Sequence, residues 1–91
     1  MEPPWEVSLL SSAEREFDGL DDGVRRAAAS AISDLAEDPI PFGAVPLRGY
    51  RNLYRIRVYF DQYRIVYRLS VKQRKVIIWR VRSRASAYRG L

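Results

Sequence analysis

The sequence contains no cysteine and no histidine among its 91 residues. The first absence excludes a disulfide framework, a thiolate nucleophile and a cysteine-ligated metal. The second removes the commonest general base and the commonest metal ligand. No stretch approaches the roughly 18 uninterrupted apolar residues that a membrane span requires. The N-terminal MEPPWEVSLLSS has neither the basic region nor the long apolar run of a signal peptide. A cytoplasmic protein with no membrane partner is therefore expected. Internal repeats, low-complexity tracts and linkers are missing too, and at 47% hydrophobic and 30% charged residues the composition is that of ordinary globular material. The length suits one domain over residues 1–91, with a modest core.

Acidic residues are nearly missing from one half of the chain. Residues 1–47 carry ten acidic side chains against Arg15, Arg25 and Arg26, a net of −7. Residues 48–91 carry thirteen basic side chains against the single carboxylate of Asp61, a net of +12, and eleven of the thirteen are arginine. Arginine presents a planar fork of donors that matches phosphate, so this bias suits oxyanion recognition better than solubility alone. Mutual neutralisation of the two halves absorbs part of the charge, but a basic surplus remains and favours a polyanionic partner.

Trp5, Val7 and Leu9 alternate with Glu6 and Ser8, the pattern of a first strand. Ser11-Ser12-Ala13-Glu14 has the form of a capping box opening a short helix that runs to about Leu20. A second helix follows Asp21-Asp22-Gly23, with Val24, Ala27, Ala28, Ala31, Ile32 and Leu35 on one stripe, and it stops at Asp38-Pro39. Its alanines suggest close packing on a sheet. Three strand-like runs occupy about 53–60, 62–70 and 75–82, joined by connections short enough for antiparallel hairpins. A tail from Ser83 to Leu91 is predicted to end in one helical turn. The expected fold is α+β, in the order β-α-α-β-β-β, with two N-terminal helices packed on an antiparallel-rich sheet.

Strand side chains alternate between faces. Tyr54, Ile56, Val58 and Phe60, then Tyr63, Ile65, Tyr67 and Leu69, then Ile77, Trp79 and Val81 are predicted to face the core. The opposite parity collects Arg55, Arg57, Arg64, Arg68, Arg80 and Arg82. A bulge or register shift would redirect any one strand. A merely solvated face would mix charges to avoid cross-strand repulsion, and this one does not, so a phosphate-binding face is the stronger reading. Trp79, Tyr54, Tyr63 and Tyr67 read as packing residues, and Asp18, Asp21 and Asp22 as helix-end chemistry.

With one carboxylate in the basic half, no metal site and no cofactor are expected there. RNA is cleaved without metal more readily than DNA because its 2′-hydroxyl is a built-in nucleophile. Such a reaction requires in-line orientation, stabilisation of the phosphorane charge and protonation of the leaving 5′-oxygen. Arginines supply the first two, and Tyr88, in RVRSRASAYRG, is placed to supply the third. The residues alone leave open an RNase or a binder.

The segment PLRGYRNLYRIRVYFDQYRIVYRLSVKQRKVIIWRVRSRASAY resembles the C-terminal half of the RelE/ParE toxin superfamily of bacterial toxin–antitoxin pairs. The carrying pieces are L-R-G at Leu47 to Gly49, Y-R-I-R at Tyr54 to Arg57, Y-R-I-V-Y at Tyr63 to Tyr67, and a last strand leading to Arg82, Arg84 and Tyr88. The resemblance implies a toxin acting as a metal-independent, ribosome-dependent endoribonuclease that cuts mRNA by 2′-hydroxyl attack. It implies that Arg64 contacts the scissile phosphate, Arg82 stabilises transition-state charge, and Tyr88 stacks on or activates the nucleotide. Arg55, Arg57, Arg68, Arg80 and Arg84 would bind RNA. Arg55 and Arg57 stand where RelE has lysines, and arginine stays protonated where lysine can become a base. Tyr88 is then the first candidate proton acceptor, with purely electrostatic catalysis as the alternative. Expected partners are a cognate acidic antitoxin, mRNA and the ribosome, with operator DNA reached only through the antitoxin. The rival readings are a ParE-like DNA gyrase inhibitor and a non-catalytic RNA-binding module.

Overall fold

A computed structural model describes residues 2–91. Strand β1 (Glu6–Leu9) is followed by helices α1 (Ser11–Asp18) and α2 (Asp22–Glu37), a two-residue strand β2 (Val45–Pro46), and the long strands β3 (Leu53–Val58), β4 (Tyr63–Ser70) and β5 (Lys75–Ser83). They form one five-stranded sheet in the order β1-β5-β4-β3-β2. Only β1 and β5 run parallel; the β2–β3, β3–β4 and β4–β5 pairs are antiparallel. The expected α+β arrangement is present, with one strand more than the sequence suggested. Strand β2 is two residues long, includes a proline at the sheet edge, and is too short to carry a period.

Both helices cover the same side of the sheet. Ala13 of α1 and Ala28, Ile32 and Leu35 of α2 pack on Ile56, Val58, Ile65, Tyr67, Leu69, Val76, Ile78 and Val81. The small side chains of Ala13 and Ala28 are wholly buried, which lets the helices lie close to the strands. Tyr67 is fully buried at the centre, stacks on Tyr54, and donates its hydroxyl to the carbonyl of Pro39 at 2.8 Å. That bond ties the α2–β2 connection to the middle strand. No helix among the described residues is long and apolar enough to cross a membrane.

Four local expectations are corrected. The capping box is not formed: Leu10 is the N-cap of α1, in an extended conformation and without a side-chain cap, and Ser11 is already helical. The Leu10 amide donates to Ile78 O at 3.0 Å, which holds Leu10 in the strand and displaces the helix start by one residue. The tail does not form a helical turn. It makes successive tight turns closed by Ser86 N to Ser83 O, Arg89 N to Ser86 O and Leu91 N to Tyr88 O.

The predicted core face of β5 is displaced by a bulge. Val66 pairs with Arg80 and Tyr67 with Ile78, leaving Trp79 without a partner. The buried residues of β5 are consequently Val76, Ile78 and Val81, and Ile77 and Trp79 lie outside the core. At the other end, β3 stops at Val58. Tyr59, Phe60 and Asp61 adopt left-handed backbone angles with φ of 53°, 54° and 65°. This run leaves Phe60 exposed and swings Tyr59 to the helix side, where it meets Gly23 of α2 and the ring of Tyr63.

Candidate functional site

The face of the sheet opposite the helices carries the arginines in register, and it is partly covered, since Val66 and Leu53 on it are buried. Arg57, Arg64 and Arg82 are cross-strand partners in one row, and Arg55, Val66 and Arg80 form the next. A third row joins Leu53, Arg68 and Ile77. All six arginines predicted for this face therefore share it. The bulge is what makes this possible for β5. By inserting Trp79 it resets the alternation, so that Val81 returns to the core between Arg80 and Arg82.

Three guanidinium groups side by side repel one another, and the fold places a carboxylate at each end of the Arg57–Arg64–Arg82 row. Asp61, in the left-handed β3–β4 turn, supplies the first. Its Oδ1 lies 3.1 Å from Arg64 Nη1 and 3.3 Å from Arg57 Nε, while Oδ2 is 4.0 Å from Arg84 Nη1. Glu16 of α1 supplies the second. Its Oε2 accepts from Arg82 Nε, and its Oε1 accepts from the amide of Val81 at 3.0 Å. A helix on the covered side thus reaches around the sheet to grip an arginine of the open face.

The eight predicted residues differ in what their side chains do. Arg64 is the most enclosed, with a side chain 10% exposed, and its Nη1 also donates to the carbonyls of Asp61 at 2.9 Å and Tyr63 at 3.2 Å. Arg57 and Arg84 are open to solvent. Arg82 is half-buried, and its Nη1 reaches Ser86 O at 3.5 Å. Arg80 turns to the tail, donating to the carbonyls of Ala87, at 3.1 Å, and Arg89. That clasp, with Ala87 fully buried, fixes the tail on either side of Tyr88, whose ring is exposed. Arg68 lies 6.0 Å over the ring of Trp79. Arg55 borders a cleft of about 330 Å³ that is also lined by Arg57, Ile56, Val45, Gly43 and the fully exposed Phe42.

Two contributors were not assigned a role from the sequence. Glu16 contacts β5 across 66 positions of the chain, and no local pattern in α1 distinguishes it from Glu14. Asp61 did carry a signal, as the lone carboxylate in the basic half. Arg74, outside the predicted set, pairs with Glu2, donates to Pro3 O and lies 5.1 Å over Trp5, so it packs the N-terminus. The arrangement presents several fixed cations on one sheet face, with the exposed Tyr88 on the tail that follows β5, the equipment for holding a phosphodiester and stabilising added negative charge on it.

Residues 7–88 match the family described as the ParE toxin of type II toxin–antitoxin systems, parDE. No curated protein sequence matches. Among solved structures, the RelBE2 toxin–antitoxin complex of Mycobacterium tuberculosis is similar, with 26% identity, a TM-score of 0.77, and coverage of 89% of this chain and 99% of that one. The isolated Escherichia coli RelE toxin shares the fold at 23% identity and a TM-score of 0.77, over 87% of this chain and 83% of its own. So does a YoeB/ParE toxin from Agrobacterium tumefaciens, at 18% identity and a TM-score of 0.73, over 86% and 96% of the two chains.

Proposed function

The chain belongs to the ParE toxin family of type II toxin–antitoxin systems, within the RelE/ParE superfamily, and we propose that it is a ribosome-dependent endoribonuclease that cleaves mRNA by 2′-hydroxyl attack. The observation that carries this reading is the row Arg57–Arg64–Arg82, with Tyr88 exposed on the tail that leaves the same strand. In the proposed reaction the 2′-oxygen attacks the adjacent phosphorus, and Arg64 and Arg82 hold the phosphate oxygens as charge accumulates. Donors already fixed in place act without reorganisation during the reaction, and each is worth roughly two to three orders of magnitude in rate. Tyr88 stacks on the nucleotide and its hydroxyl protonates the leaving 5′-oxygen. Arg55, Arg57, Arg68 and Arg84 hold flanking phosphates, and Arg80 contributes by fixing the tail. No cofactor is assigned a role.

The matched structures include complexes of RelE-type toxins with RelB antitoxins. By that likeness, the chain is proposed to pair with its own antitoxin, an acidic amphipathic segment complementary to a half-chain of net charge +12. Operator DNA would then be reached only through that antitoxin. A second reading, inhibition of DNA gyrase, is favoured by the ParE description of the family and requires none of the Arg64, Arg82 and Tyr88 chemistry. The two are separated by incubating the purified toxin with mRNA-programmed ribosomes and, in parallel, with gyrase and relaxed plasmid. The expected result is cut message within the ribosome and unaffected supercoiling. Intact message with blocked supercoiling transfers the assignment to gyrase.

A further inference from the structure

A proton acceptor is the missing part of this site. The arginine-bearing face holds no histidine and no lysine in the Arg57–Arg64–Arg82 row, and guanidinium groups stay protonated. Among the described residues, two carboxylates touch the row. Glu16 has both oxygens engaged, Oε1 by the Val81 amide and Oε2 by Arg82, and its side chain is only 21% exposed. Asp61 differs on each count. Its two arginine contacts within 3.3 Å converge on Oδ1, its side chain is 47% exposed, and Oδ2 has Arg84 no nearer than 4.0 Å. One oxygen is anchored by two arginines, and the other lies 4.0 Å from a third.

The backbone supports the same placement. Asp61 ends a run of three non-glycine residues at positive φ, a strained conformation that concentrates at functional sites. The turn is closed by Gln62 N to Tyr59 O at 3.0 Å, and the tail is fastened to it by Arg84 N to Gln62 O at 2.9 Å. The turn bearing Asp61 is thus fastened to the start of the tail that carries Tyr88.

Given the ribonuclease reading on which this rests, we propose that Asp61 is the general base, with Oδ2 as the acceptor of the 2′-hydroxyl proton. As the O2′–H bond breaks, its proton passes to Oδ2 and its electron pair forms the O2′–P bond. The P–O5′ bond then breaks, and O5′ keeps that pair and takes the Tyr88 proton. The products are a 2′,3′-cyclic phosphate and a 5′-hydroxyl, with Asp61 neutral and Tyr88 as phenolate until solvent resets both. Arg57 and Arg64 orient the carboxylate through Oδ1. Arg84, facing Oδ2, remains free to bind a phosphate oxygen.

Single-turnover cleavage of mRNA on programmed ribosomes tests the assignment. Asp61→Asn keeps the shape and is expected to slow cleavage by roughly 10²- to 10⁴-fold, the usual span for a general base, with ribosome binding retained. Asp61→Gly suits the positive φ and opens space, and circular dichroism and a thermal melt check that it folds. Its activity should be restored by formate and acetate, and more by acetate, the stronger base. Wild-type cleavage by Asp61→Asn overturns the proposal. So does Asp61→Gly that no carboxylate restores, or that chloride restores as well as acetate, since either outcome leaves Asp61 as a spacer between cations. Failure of the wild-type protein to cut the message would instead remove the ribonuclease reading itself.

Discussion

Replacing Glu16 by glutamine is the most informative single change outside the arginines themselves. The substitution keeps length and shape, so one amide oxygen still accepts from the Val81 amide, now held at 3.0 Å by the carboxylate. The other position becomes an NH₂ group facing Arg82 Nε, a donor against a donor. What is lost is one charge-assisted hydrogen bond between side chains that are 32% and 21% exposed. Such bonds contribute about 1.5–3 kcal/mol when well shielded, and partial exposure reduces this one to about 1–2 kcal/mol. For a domain of this size that is a fall in Tm of roughly 5–15 °C. The kinetic effect follows from position: Arg82 released from α1 no longer presents its guanidinium at a fixed point. Displacement by about 1 Å costs up to roughly a hundredfold in rate. The assay is single-turnover cleavage beside a thermal melt, with Glu14→Gln as control, an exposed residue of the same helix. A Glu16→Gln protein that melts and cleaves like the wild type would refute the idea that α1 holds Arg82 in place.

Tyr67→Phe should cost about 1–2 kcal/mol, because it leaves the Pro39 carbonyl without its 2.8 Å donor, and equilibrium denaturation will read this. Burial, reinforced by Tyr54 and Asp38, holds the Tyr67 hydroxyl well above the usual tyrosine value. The folded state therefore keeps a proton that the unfolded chain releases. The stabilisation is complete below about pH 10 and is lost as pH rises beyond it, and Tyr67→Phe should show a smaller alkaline loss. Ribosome association should weaken steeply between low and high salt as counterions are released from phosphate, and Arg57→Ala should flatten that slope. Arg82→Ala should lower cleavage by roughly two to three orders of magnitude with the fold intact by circular dichroism. Tyr88→Phe retains the stacking surface but removes the proton, so a large rate loss with normal ribosome binding would assign it acid chemistry, and a wild-type rate would leave it as a platform.

How far the sequence disclosed this surface varies strand by strand. In β3 and β4 the alternation is uninterrupted, and it correctly separated Ile56, Val58, Ile65, Tyr67 and Leu69 from Arg55, Arg57, Arg64 and Arg68. In β5 the period breaks at Trp79. A large aromatic continues an alternating pattern whether it is paired or bulged, so parity alone places Ile77 and Trp79 in the core and Val76 and Ile78 outside. Arg80 and Arg82 were still assigned to the open face. The left-handed run at Tyr59, Phe60 and Asp61 has no glycine to announce it, so the alternating pattern runs on to Phe60. Neither carboxylate at the ends of the arginine row could be placed without the tertiary fold. Glu16 reaches β5 only because α1 docks beside it, and Asp61 points at Arg57 and Arg64 only because the turn is left-handed.

The central claim is that the arginine face serves a reaction in which the RNA attacks itself. A message carrying a single 2′-deoxy nucleotide immediately 5′ of the scissile bond tests this most directly, because it removes the nucleophile and leaves every phosphate contact in place. On programmed ribosomes the protein should cut the all-ribose message to a 2′,3′-cyclic phosphate and a 5′-hydroxyl, and should leave the substituted message intact at that bond while binding it equally well. Cleavage of the deoxy-substituted message at the same position and rate would contradict the account.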